Sequence, residues 1–473
     1  MEKHLARWVS IASLLAAGCG DVTSPAAPHV IPGGGIADGK IVGTLFVYVT
    51  DDDSRAPVSS ATVRVGASAS TSACEVLTDS TGLATFDAKS CPMLKGPVTL
   101  TASATGYAAS TWIGANGVNL TVPLRAKTRP APASASVSGT IAGWDALPAP
   151  AANHQRLALI GYSQSRQLGD PANEIMQGTR SVNVMAGAVT LPINIPANAC
   201  VRRQETAATV NDCNWQLETR AGAQAIYAVI LDQDNKGTAI ETDDTQTLTG
   251  WAIKTNQSFT AAQVATSVSL QIIADADMQS FTAAFASPPS GMDTVGAFPM
   301  LDIGEAGRIP VFFPALDTTH TMTSIPKATG PLAGAKYDLL AQAHDGVDQP
   351  EPASLTWLRG VSGTSADVKS WMLPPTALST SGGTFSFTPA AGASVHSAEI
   401  NTAGGARAWS ITIFDGSTSF TLPGLSPDPV PPGSVQFRVS ALKIPGINLM
   451  DVAFDALQDK LTDISSDAVT FTH

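Results

Sequence analysis

The residue types able to do chemistry are spread thinly along this chain. Seven histidines, His4, His29, His154, His320, His344, His396 and His473, stand far apart. No HExxH pair occurs, so the helix-borne zinc site that activates water is not encoded. No GxSxG turn occurs either; Gly360-Val361-Ser362-Gly363 misses that spacing and has no helical pattern after it. Ser324-Ile-Pro-Lys327 does match S-x-x-K, in which a lysine one helical turn along takes the serine proton. Pro326 fits such a helix poorly, and neither SDN nor KTG follows, so a chance match is expected. The stretch from Asp232 to Gly237, DQDNKG, has Asp at positions one and three and Gly at six of a calcium loop. Lys236 stands where a third oxygen ligand belongs, and Asp243 takes position twelve, where a longer bidentate Glu is usual. The flanks AVIL and TAIE read as strands, so a β-hairpin turn is the expectation. Calcium binding stays open here, at Asp232–Asp234, and at the run Asp51-Asp52-Asp53. No catalytic residue, metal site or cofactor is assigned.

The five cysteines are more informative. Four of them form two close pairs, Cys74 with Cys91 and Cys200 with Cys213. Neither pair has the C-x-x-C spacing or neighbouring histidine of a zinc site. Of the three connectivities four cysteines allow, these local ones keep each bridge inside one expected block, and two disulfides in an oxidising compartment are predicted. Cys19 is the odd one. Lys3 and Arg7 precede about ten apolar residues from Trp8 to Ala17, too short to span a bilayer and of signal-peptide length. Leu15-Ala16-Ala17-Gly18-Cys19 resembles the lipobox of bacterial lipoproteins, with Ala16 where that family usually has leucine. The resemblance implies a signal peptide over 1–18 and an acylated Cys19 as the mature N-terminus, hence a membrane partner through an N-terminal lipid. Gly20 in place of Asp points, by the sorting habit of enteric lipoproteins, to the outer membrane.

Composition sets the remaining limits. The chain has 473 residues, a formal net charge of −12 and only 14% charged residues. No basic stripe exists to neutralise phosphates, which excludes a nucleic-acid role, and the overall charge opposes adhesion to anionic lipid. At 44% hydrophobic, the chain is expected to fold.

Those residues must be positioned by strands. The expected class is all-β: tandem β-sandwich domains, transthyretin-like or immunoglobulin-like, with a short late helix. Residues 19–40, rich in Pro, Gly and Ala, read as a flexible tether. Residues 41–128 hold about seven short strands at even spacing, the pattern of a sandwich. Gly43, Asp51, Pro57-Val58, Ala61, Val63, Thr78-Asp79, Gly82, Phe86, Val98, Gly106-Tyr107 and a closing VPL occur in the order of the carboxypeptidase regulatory-like, transthyretin-like domain, which this block resembles. That likeness covers under a fifth of the chain and implies a non-catalytic β-sandwich; the Cys74–Cys91 pair departs from it. Flanked by Pro/Ala-rich sequence, the block is expected to fold alone. A second β-rich domain is expected over 136–290, a third β-rich block over 291–371, and an immunoglobulin-like or fibronectin-like domain over 372–473. Leu449, Val452, Ala456 and Leu461 suggest a helical stripe after an Asn448 cap. The scattered tryptophans Trp112, Trp144, Trp215, Trp251, Trp357, Trp371 and Trp409 are expected in sandwich cores. The function expected is that of a lipid-anchored cell-envelope protein, structural, adhesive or ligand-binding, without catalysis, with an envelope protein or a glycan as partner. The alternative is an envelope hydrolase with a dispersed, loop-borne site, which would need a histidine within hydrogen-bond reach of a serine.

Overall fold

The computed structural model describes residues 27–66, 74–128, 133–165, 177–186, 189–204, 209–238, 244–311, 319–346, 351–457 and 459–473. Cys19 and the leader motif lie outside the described residues, as does Asp243.

Strands are the main regular elements of the described residues, as expected. In the first block, Leu45, Val47 and Val49 alternate inward along Thr44–Asp51. They meet Ala84 and Phe86 of Leu83–Asp87 and Leu120, Val122 and Leu124 of Asn119–Leu124. A second layer, Thr62–Val65, Val98–Ser103 and Ala109–Ala115, sends Val63, Val65, Leu100, Ala102 and Trp112 into the same core. The period-two pattern is what a strand with one buried face requires. The turn TDSTG forms around Asp79, whose Oδ1 accepts the N–H groups of Thr81 (2.8 Å) and Leu83 (3.1 Å). Gly82 there has φ +78, and a Cβ would sit 2.7 Å from the Val49 carbonyl oxygen, so only glycine fits.

The layout differs from the expected one in four ways. First, the stretch read as tether joins the fold well before residue 40. Gly35–Ala37 is a strand between Asn119–Leu124 and Val452–Ala453, with Ile31 and Ile36 buried. Proline and glycine set the turn at 32–34 and leave room for Ile36 to enter the core. Second, the first block does not close its core alone. Val395, Phe414 and Val452 of the last block belong to it. Ala109–Ala115 also pairs in parallel with Arg407–Ile413.

Third, the boundary at 290 divides a shared core. Met278–Phe285 pairs with Thr319–Pro326 and Ser365–Val368, not with the second block's sheet. Gly222–Asp234 faces two cores at once. Ala225, Tyr227, Val229 and Leu231 pack with the third block, while Ile226, Ala228 and Ile230 pack inside the second. Its unbroken apolar run follows from burial on both faces. Fourth, the expected short late helix is present as one turn, Phe454–Leu457, but the stripe and cap read for it are not all part of it. Val452 is taken by the pairing with Ile36, and Leu461 is buried just before the strand Asp463–Thr472. Asn448 accepts the Met450 N–H in a turn outside that helix instead of capping it.

A twelve-stranded sheet runs from Arg308–Pro310 through the third, last and first blocks to Cys74–Leu77. It crosses between blocks at Ala353–Val361 against Asp463–Thr472 and at Arg407–Ile413 against Ala109–Ala115. Both expected disulfides are present, Cys74–Cys91 and Cys200–Cys213.

Candidate functional site

The densest set of buried charge lies where the third block meets the last strand. Arg308 sits on an edge strand whose backbone exchanges two hydrogen bonds with Gln164 of the second block, at 2.8 and 2.7 Å. Its side chain is 3% exposed, with Nε 3.5 Å from Asp338 and 3.9 Å from Asp302. Nη2 donates to Asp459 Oδ1 at 3.3 Å. The guanidinium lies 4.6 Å from the Trp357 ring centre, and that of Arg359 lies 4.0 Å from it. Arg359 Nη1 is 3.7 Å from Asp338, and its Nη2 donates to the Leu461 carbonyl at 3.4 Å. Asp338 Oδ1 also accepts the Gly360 N–H at 2.8 Å. Alongside, Asp463 accepts Thr356 Oγ1 and Thr462 Oγ1, each at 2.9 Å, with Lys443 Nζ at 3.3 Å. A small depression lined by Leu340, Leu355, Trp357, Leu461 and Ile464 borders the cluster.

Buried carboxylates survive only when paired and hydrogen-bonded, and here each one is. The arrangement offers fixed charges and stacking, and its hydroxyl groups donate to Asp463, so it is built to bind chain segments together. Sequence reasoning missed it. One signal existed: Trp357 and Arg359 are two apart in a strand and therefore share a face.

The residues singled out from sequence fall elsewhere. Asp232 and Asp234 lie on Gly222–Asp234 and face His154 on His154–Tyr162. His154 Nδ1 pairs with Asp232, and its Nε2 is 3.9 Å from Asp234. Lys236 Nζ lies 2.6 Å from Asp234 Oδ2. Asp232 is thus engaged by His154 and Asp234 by Lys236, and the turn expected at DQDNKG forms, with Thr238 N–H on the Asn235 carbonyl at 2.9 Å. The hydrogen bond to Asp232 raises the His154 pKa against the opposing effect of burial. The Lys236 hydrogen bonds hold the Asp234 carboxyl below its ordinary range.

Asp51 closes its own loop. Its Oδ1 accepts the N–H groups of Asp53 (3.0 Å) and Ser54 (2.7 Å) and the Ser54 hydroxyl (2.9 Å). Burial pushes the Asp51 carboxyl up, but these bonds and one from Tyr107 outweigh it and leave the pKa lowered. The Asp51 carboxylate is thus used to close the turn that holds Asp52 and Asp53. Among the described residues, no three His, Cys, Asp or Glu side chains are placed to hold a metal ion.

Ser324 lies within the strand Thr319–Pro326, at an irregularity where its φ is +60, and its carbonyl accepts Trp251 Nε1 at 3.0 Å; Lys327 Nζ donates to the Ala276 carbonyl. No helix joins the pair. Gly360 and Val361 end the strand Ala353–Val361, and Ser362 and Gly363 lie in the short connection to Ser365–Val368. Among the described histidines, the ring bonds run to Ala27 and Asp38, to Asp232, and to Asp428, none to a serine. Trp112, Trp144, Trp215, Trp251 and Trp409 are buried in cores as expected. No described helix is long and apolar enough to cross a membrane.

No protein-family model and no curated protein matches the chain. Solved structures matched include the fimbrial protein FimP from Actonomyces oris, at 9% identity and TM-score 0.15, over 71% of this chain and 98% of that one. The full-length major pilin SpaD from Corynebacterium diphtheriae matches at 10% and 0.14, over 69% and 96%. A tetra-tandem repeat from the extending region of a large adhesion protein matches at 11% and 0.14, over 91% and 99%. At such TM-scores the likeness says nothing of function. The sheets and cores define the class: an all-β protein of several fused sandwich cores.

Proposed function

We propose that this chain is a lipid-anchored, non-catalytic protein of the cell envelope, with a structural or adhesive role. The observation that carries this reading is the twelve-stranded sheet that joins three blocks without linkers. Domains on linkers move independently by default. Here moving one block against the next would break backbone ladders and open shared cores, as suits a body that holds a surface at fixed distance. The Leu15–Cys19 motif supports the anchor, and two or more acyl chains give stable attachment where one gives only marginal binding. The motif and Gly20 favour the outer membrane. The likeness of residues 41–128 to the carboxypeptidase regulatory-like domain fits a sandwich without catalysis. A glycan or an envelope protein is the partner this reading calls for.

The test is Cys19→Ser in cells, with fractionation after a high-salt wash and with labelled palmitate. The wild-type chain stays with membrane and takes up label; the variant does neither. A variant that still partitions with membrane overturns the anchor. Capture of envelope glycans or proteins by the folded chain addresses the partner.

A further inference from the structure

One end of the first block gathers loops whose backbone bonds fix them together. Gly43 N–H donates to the Leu94 carbonyl (2.8 Å), Ile41 N–H to Asn116 Oδ1 (3.2 Å) and Val118 N–H to the Gly39 carbonyl (3.1 Å). The residues these loops present outward are Val42, 81% exposed, and Met93, 38% exposed, together with Lys40, Lys89 and Lys95. Val30 and Met450 join them. Val30 lies between His29, whose N–H donates to Asn119, and Ile31, whose N–H donates to Thr121; Met450 stands two residues before the Val452 that pairs with Ile36. Among the described residues, four of the eight exposed large apolar side chains are therefore at this end. Beneath them Ile41 and Leu94 are buried in the core, and Cys91 ties the lysine-bearing loop to Cys74 on the edge strand, so the tips are rigidly mounted.

The nearby acids are largely engaged. Asp38 pairs with His29 and Asn119, and Asp87 accepts the N–H groups of Lys89 (2.9 Å) and Ser90 (2.8 Å). Asp451 beside Met450 is the exception. Three lysines with apolar tips stand out on a chain of net charge −12. The described chain also begins here, because the Ala27 carbonyl accepts Asn119 Nδ2 at 3.1 Å at this same end. From Ala27 back to Cys19 is eight residues, a reach of about 28 Å at most.

We propose that this end of the first block seats on a phospholipid surface, with Val42 and Met93 in the headgroup layer and Lys40, Lys89 and Lys95 against lipid phosphates. The proposal rests on the anchor reading, which brings the end within reach of a bilayer. Seating would add a second point of attachment to the lipid and so fix the molecule's tilt. The acidic remainder of the chain would be held off an anionic surface by the same charge that draws the lysines down.

The test uses the full folded chain carrying Cys19, coupled through that thiol to a maleimide lipid in phosphatidylglycerol/phosphatidylethanolamine vesicles. Lysine acetylation is read by mass spectrometry against the same protein free in solution. The expected result is a fall of about fivefold or more in labelling at Lys40, Lys89 and Lys95, with Lys236 and Lys336 unchanged. Val42→Asp with Met93→Asp, both at exposed positions, restores the labelling. Equal labelling of all five lysines with and without vesicles overturns the proposal, and so does protection that survives the double substitution. Chemical coupling bypasses acylation in cells. A failed Cys19→Ser fractionation therefore sinks the anchor alone, and a failed protection pattern sinks the seating alone.

Discussion

Removing the Arg308 guanidinium is the sharpest test of how the blocks are joined. Arg308→Met keeps most of the side-chain length and deletes the charge. Arg308 and Asp338 are 3% and 4% exposed, so the carboxylate left behind cannot regain much water. Breaking a buried pair from one side costs about 3–5 kcal/mol. Asp338 keeps Arg359 and the Gly360 N–H, which places the expected cost at the low end, about 3 kcal/mol. A chain of several fused cores does not unfold in two states, so the cost must be read locally. Native-state hydrogen exchange does this. Amides of Lys336–His344 should exchange about a hundredfold faster in the variant, since each 1.4 kcal/mol is tenfold. Those of Val98–Ser103 should not change. In the double variant Arg308→Met/Asp338→Asn the loss should be smaller than in Arg308→Met alone, because the most deeply buried carboxylate is then no longer left without the Arg308 charge. Asp459 is 58% exposed, so Asp459→Ala should cost under about 0.5 kcal/mol, and that small effect should vanish in high salt. A change under about threefold at Lys336–His344 would refute the reasoning, as would uniform acceleration across the chain.

Three further predictions concern other seams. Thr111 Oγ1 accepts Trp409 Nε1 at 2.9 Å and meets Thr101 Oγ1 at 2.9 Å, all buried, so Thr111→Val should cost about 1–3 kcal/mol and speed exchange in both Ala109–Ala115 and Arg407–Ile413; acceleration in only one strand would contradict a shared seam. Replacing Cys74 and Cys91 together by serine opens a loop of sequence separation 17 and should lower first-block stability by about 3 kcal/mol on the chain-entropy account; unchanged exchange at Val98–Ser103 would count against it. The two histidines His154 and His396 should act in opposite senses. His154 has a raised pKa from its bond to Asp232, so its contribution is present below the ordinary histidine value and fades as pH rises through the folded value. Burial lowers His396, so stability there holds above the ordinary value and falls as pH drops below it. NMR titration should show the two midpoints on opposite sides of about 6.5, and Asp232→Asn should bring His154 down toward it.

How much of this was legible depends on which distance carried the signal. Short-range features came through. The alternation of Leu45, Val47 and Val49, the Asp79 turn and the two cysteine pairs each sit within about twenty residues, where periodicity and turn chemistry operate. The run AQAIYAVIL was readable as a strand, but not that its two faces serve two cores, because the third block supplying one of them lies further along the chain. Gly35–Ala37 reads as linker because its partners are Asn119–Leu124 and Val452–Ala453, the latter more than four hundred residues away. Val452 looked helical for a similar reason: a stripe at 3.6 spacing and a single residue recruited to a distant strand are indistinguishable over so short a segment. The charged cluster around Arg308 joins residues from 302 to 463, and only Trp357 with Arg359 left a local trace.

The strand Ala109–Ala115 explains why a block-by-block reading falls short. Trp112 and Ala115 turn into the first block's core, while Ala109 and Ile113 turn into the last block's. Nearly every position is buried, so neither face can be given to solvent. A strand of this kind would be the edge of a sandwich if the first block stood alone, and its apolar outer face and unpaired backbone groups would then be a liability. Pairing it with Arg407–Ile413 removes the edge and supplies Trp409 and Ile411 to cover what would be exposed. Gly222–Asp234 solves the same problem between the second and third blocks by burying both faces of one strand. The blocks are therefore fused through strands too apolar to serve any other role. That is the physical basis for reading the joined blocks as one body.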